Sequence, residues 1–127
     1  MKVSLFVLAA ATVIAAFAPV KASAFTASYS WAGVAACQKI SPAFTLSAVP
    51  TGTRRLRFVM TDLDMPSFHH GGGIVIYDGE NVPQGAISYI GPCPPAGQHH
   101  RYLWAIDALD DSGNVLGRTT VTQTFPP

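Results

Sequence analysis

Apolar and polar residues alternate with a period of two along much of this chain, and that period marks half-buried β-strands. Phe25, Ala27, Tyr29 and Trp31 alternate with Thr26, Ser28 and Ser30. Leu56, Phe58 and Met60 alternate with Arg55, Arg57 and Val59, and the run leads into Asp62. Shorter apolar runs predict strands over Ala43–Val49, Ile74–Tyr77, Ala86–Ile90 and Tyr102–Leu109, and the β-branched stretch Val115–Thr124 predicts the last. Pro50–Thr53 and Asp110–Asn114 carry the Pro, Gly, Asp, Asn and Ser residues that make turns. About seven short strands, with no long helical period and no internal repeat, predict an all-β sandwich or barrel.

The first residues do not belong to that pattern. Met1–Lys2 gives a positive start, Leu5 to Phe17 is apolar, and Ala22-Ser23-Ala24 has the small-x-small form that signal peptidase cleaves. Residues 1–24 therefore read as a secretory signal peptide. The apolar run is shorter than the ~20 residues that a membrane span needs, and Pro19 closes it, so no stable membrane insertion is expected. Residues 25–127 remain as one domain with a single core. Export places it outside the cytoplasm, in a bacterium the periplasm. A formal charge of +1 does not supply the basic face that nucleic acid requires. In an oxidising compartment the even cysteine count points to a Cys37–Cys93 bridge, with two buried free thiols as the alternative.

The candidate chemistry lies between Asp62 and Tyr102. All four histidines fall there, as His69-His70 and His99-His100, in a chain of which only 12% is charged. Asp62 follows an alternating strand, where its carboxylate can accept from a histidine and fix the ring's tautomer. Asp64, just ahead of Pro66, is as readily a turn cap. Adjacent residues on a strand point to opposite faces, so only one of His69 and His70 can face a pocket. Gly71-Gly72-Gly73 reads either as a backbone nest for an anion or as a plain turn. Pro92, Pro94 and Pro95 stiffen a loop. His100 and Tyr102 share a strand face, which turns Arg101 toward an acidic partner elsewhere. Together Asp62, His70, His100 and Tyr102 suit a phosphate, sulfate or carboxylate. Nothing nominates a nucleophile or an activated water, and His70-Gly73 has no Gly-x-Ser-x-Gly to accompany it, so no enzyme is expected. Asp62, His70 and His100 could form a three-ligand metal site, but adjacent histidines are not a ligand spacing, and the reading expects neither metal nor cofactor.

These segments resemble the phosphatidylethanolamine-binding proteins, in particular their bacterial YbhB/YbcL, Raf-kinase-inhibitor-like branch. Ser41-Pro42-Ala43-Phe44, Val49-Pro50-Thr51-Gly52-Thr53, Asp62-Leu63-Asp64-Met65-Pro66, and Gly91-Pro92-Cys93-Pro94-Pro95 followed by Gly97 and His100-Arg101-Tyr102 carry the likeness in the family's order. The resemblance implies a Greek-key β-sandwich with a small anion pocket. It carries the family's pocket residues onto Asp62, His70, Pro92, His100 and Tyr102. The expectation is an exported, non-enzymatic binding protein that captures a small anionic, phosphate- or phospholipid-head-group-like ligand. The alternative is a protein-interaction module that inhibits a protease or kinase through the loops 66–73 and 92–98.

Overall fold

The computed structural model describes residues 12–16 and 25–127, so the signal-peptide reading of 1–24 falls mostly outside the described residues. Six strands form: β1 (Thr26–Tyr29), β2 (Phe44–Ser47), β3 (Arg55–Asp62), β4 (His69–Ile76), β5 (His100–Leu109) and β6 (Val115–Phe125). All pairings are antiparallel. They make a sheet β1-β2 and a larger sheet β4-β3-β5-β6. The expected all-β sandwich is present, with the small sheet packed on the inner face of the large one.

The period of two builds the core directly. On β3 and β5 the paired inward positions are Leu56 with Ala108, Phe58 with Ile106, and Met60 with Trp104, all buried. Phe44 of β2 meets Phe58 and Trp104, the latter edge-on at 5.4 Å between ring centroids, the geometry aromatic quadrupoles favour. The same alternation continues to the end of the two strands, where it places Asp62 opposite Tyr102 and, one step on, His100. Polar residues at the last inward positions thus convert the end of the core face into the floor of a site.

Two expectations need correction. Ala86–Ile90 is not a strand: its one β-bridge is the isolated Ile40–Ser88 pair, and Ile87 packs into the core. The glycines 71–73 are not a turn or a nest: they lie inside β4, where Gly72 and Gly73 pair with β3 and Gly71 sits in an irregularity of the ladder. The absence of a side chain explains why. A Cβ on Gly72 would stand 1.8 Å from the Phe58 carbonyl oxygen, whereas one on Gly73 would meet Ile87 and Ser88 only at ordinary contact distance. Glycine at 72 lets β4 approach its neighbour.

Candidate functional site

The floor of the site is an acid–base pair. The Asp62 carboxylate accepts from His100 Nδ1 at 2.7 Å through one oxygen, and from the Asp64 and Met65 amides at 2.9 and 3.0 Å through the other. Burial disfavours its charge, but these donors outweigh burial and hold its carboxyl below the ordinary range. An ionised carboxylate only accepts, so His100 Nδ1 carries a hydrogen. Asp62 is therefore both the turn cap and the histidine partner, two roles that sequence reasoning had divided between Asp62 and Asp64. Asp64 pairs with Arg101 outside the site, which is the acidic partner expected for that arginine.

A bulge in β4 decides which of the adjacent histidines enters. From Arg55–Ile76 to Val59–Gly72 the ladder is regular, but Thr61 then pairs with His69. An unbroken register would have paired Thr61 with His70 and turned His70 outward. The extra residue, with Gly71 at φ +79°, reverses this, as bulges re-aim side chains. His70 is buried and His69 is exposed. His70 Nδ1 donates to the Ile90 carbonyl at 2.7 Å, and the Ile90 amide donates back to the His70 carbonyl at 2.8 Å.

Tyr102 stands between the two imidazoles, perpendicular to His70 at 5.5 Å and stacked on His100 at 6.3 Å. Its hydroxyl is buried and makes no hydrogen bond of good geometry among the described residues, with the Asp62 carboxylate and the Cys93 backbone as its polar neighbours. Burial, and then the Asp62 charge, push its ionisation upward, so it stays an O–H donor. A buried donor without a partner is costly, and the residue that carries it lines a cavity.

That cavity has a volume of about 370 Å³. Asp62, His70, His100 and Tyr102 lie on it, while Pro92 does not. Pro92 is fully buried behind the wall, where its carbonyl accepts the Cys37 amide at 2.8 Å. It shapes the site through the backbone rather than by contact. The Cys37–Cys93 disulfide forms part of the wall, with Cα atoms 4.6 Å apart. Met65, Phe68 and Ile90 complete the mouth and stay 45–47% exposed. Sequence reasoning missed these three, although Met65 and Phe68 flank the first histidine pair as isolated apolar residues in a polar loop. Among the described residues no group of three His, Cys, Asp or Glu side chains is placed to hold a metal.

No family model and no curated protein matches the chain. Solved structures do. The chain is similar to a putative phosphatidylethanolamine-binding protein homolog of Chlamydia trachomatis, with a TM-score of 0.54 and 23% identity over 69% of this chain and 82% of that one. It is also similar to YbcL of Escherichia coli, described as a new member of the mammalian PEBP family, with a TM-score of 0.52 and 19% identity over 68% and 80% of the two chains. At these identities the likeness is one of fold.

Proposed function

We propose that this chain is an exported, non-enzymatic binding protein of the phosphatidylethanolamine-binding family, YbhB/YbcL branch, acting in the periplasm on a small anion such as phosphate or a phosphorylated head group. One observation carries the reading. Segments far apart in sequence bring His70, His100 and Tyr102 to one cavity, with a buried Tyr102 hydroxyl that makes no hydrogen bond of good geometry among the described residues. Asp62 holds His100 by one ring nitrogen and orients it. The Tyr102 hydroxyl and an imidazolium N–H are donors, which is what a phosphate oxygen needs. The apolar mouth then favours an anion attached to an organic group over a free inorganic ion.

Calorimetric titration of inorganic phosphate and phosphoethanolamine into the mature protein tests this. Binding is expected, and roughly tenfold weaker in His70→Ala and in Tyr102→Phe, each of which removes one hydrogen-bonding group. Absence of binding to either ligand, or binding untouched by both substitutions, overturns the reading.

A second reading rests on a separate feature. Met65, Phe68 and Ile90 are each 45–47% exposed around the mouth. Such a rim suits a protein partner, including a protease or kinase held in check. Phe68→Ser should abolish that interaction while leaving phosphate binding measurable; His70→Ala should do the reverse.

A further inference from the structure

The two imidazoles on the cavity differ in what their second ring nitrogen meets. His70 uses Nδ1 on the Ile90 carbonyl, and its Nε2 makes no hydrogen bond among the described residues. His100 uses Nδ1 on Asp62, and its Nε2 lies 3.1 Å from the Gln98 side-chain oxygen. With Nδ1–H committed to the carboxylate, the bond at Nε2 depends on the charge of the ring. An imidazolium donates Nε2–H to the amide oxygen. A neutral ring offers a lone pair, to which the amide turns its NH2. Gln98 can serve both forms at the same reach.

The backbone holds Gln98 in place for this. Its amide donates to the Pro95 carbonyl at 2.9 Å, closing a turn in which Gly97 takes φ +78°. That is the left-handed third position of a type II turn, which favours glycine. The next residue is tethered too, since His99 Nδ1 lies 3.1 Å from the Pro126 carbonyl oxygen. Gln98 is thus set over His100 by a turn on one side and a tether on the other.

We infer that Gln98 is a positioning residue: its amide occupies the outer nitrogen of His100 in either protonation state and leaves His70 Nε2 and the Tyr102 hydroxyl as the ligand-facing polar atoms. The binding consequence rests on the anion-site reading above; the consequence for the His100 ring does not. The groups that bear on the charge of His100 are Asp62 from β3, Asp64 from the turn after it, Tyr102 from its own strand, and His70 across the cavity. Gln98 adds an uncharged contact to this set.

The test compares the parent protein with Gln98→Ala and Gln98→Glu. Ring-nitrogen NMR of ligand-free protein between pH 5 and about 8 reads His100 and His70 separately. Gln98→Glu and Gln98→Ala are each expected to shift the His100 Nε2 signal, with His70 unmoved in both. Inorganic phosphate titrated at pH 6 should bind Gln98→Ala roughly three- to tenfold tighter, the worth of one added hydrogen bond from the freed Nε2–H. Identical His100 signals in all three proteins would overturn the cap, whether or not phosphate binds. Altered His100 signals with unchanged phosphate affinity would overturn the division of labour between the histidines. Altered signals with no phosphate binding in any protein would support the cap and overturn the anion site.

Discussion

Asp64 and Arg101 grip each other through three hydrogen bonds. The carboxylate accepts from the Arg101 backbone amide at 2.7 Å and from its guanidinium at 2.9 and 3.2 Å. The Arg101 carbonyl in turn accepts the Leu63 amide at 2.8 Å. The turn after β3 is thereby fastened to the start of β5 by an outer pair, Asp64–Arg101, next to an inner pair, Asp62–His100. The outer pair is solvent-exposed, and exposed pairs contribute little to stability. Its value lies in registering the inner one. Arg101→Ala is therefore expected to lower the melting temperature less than Asp62→Ala does, while still weakening phosphate binding. Melting curves and phosphate titration on both variants check this; equal losses of stability would contradict it.

The carboxylates set the acid side of the stability profile. Arg101 holds the Asp64 carboxyl down to about 2. Arg118 first, and then Arg57, hold that of Asp107 down to about 2 against the opposing effect of burial. Asp62 is lowered as well. A carboxyl depressed in the folded state binds its proton more readily when unfolded. Its contribution is complete above the unfolded value of about 3.9 and disappears as pH falls through the folded value. These groups predict stability that is insensitive to pH just above about 5 and that falls between about pH 4 and 2. Asp107→Asn, which keeps the shape but not the charge, should flatten part of that fall. Urea midpoints measured across this range decide it, and a midpoint that rises on acidification would refute the linkage.

How far the site could be read in advance depended on the range of the interactions. The alternation through Leu56, Phe58 and Met60 was visible because it is local, and it carried the inward direction as far as Asp62. The spacing of His100 and Tyr102 put both on one face for the same reason. The structure brings His70 rather than His69 to the cavity, and the cause, a bulge against β3, involves residues on another strand and leaves only a glycine as a trace. The Gly71–Gly73 run misled because glycine most often signals a turn, whereas here it answers to a bulge at Gly71 and to close backbone approach of Gly72 at Phe58. Pro92 was assigned by its place in a motif, and only the packing of Cys37 against it shows that it works through its carbonyl. Gln98 had no local signal, since its role depends on where a turn sets its side chain.

The disulfide ties together segments that also make contact without it. Gly91 packs so closely on the Gln38 backbone that a Cβ there would lie 1.8 Å from the Gln38 carbonyl oxygen. The Cys37 amide bonds to Pro92. The bridge joins residues 56 positions apart, a loop whose closure is worth roughly 4 kcal/mol on the chain-entropy account, a large share of a typical small-domain margin. The double variant Cys37→Ser with Cys93→Ser should therefore unfold at a much lower urea concentration than the parent, and the parent under reducing agent should match it. Because both cysteines line the cavity, phosphate affinity should fall in the same two samples. Coincident unfolding curves with and without reductant would refute a structural role for the bridge.

Neighbouring glycines in β4 offer the sharpest separation of two kinds of constraint. Gly71 has a positive φ but open space where a Cβ would go, with nothing within 4 Å. Gly72 lacks the positive φ, but its Cβ would lie 1.8 Å from the Phe58 carbonyl oxygen and 2.7 Å from the carbonyl carbon, both backbone atoms that cannot swing aside. Gly71→Ala then meets only the left-handed penalty of about 1–2 kcal/mol. It should keep the bulge, the burial of His70 and phosphate binding at nearly the parent level. Gly72→Ala must push β4 away from β3, with an expected loss above about 3 kcal/mol, in the range that marks a backbone or core collision. Displacing the strand also displaces His70, so phosphate binding should go with it even at temperatures where the protein is still folded. Urea midpoints together with the NMR contact between the His70 and Tyr102 rings measure both effects. If Gly71→Ala proves as damaging as Gly72→Ala, conformational freedom rather than close approach governs the strand, and the bulge is more rigidly required than its open surroundings indicate.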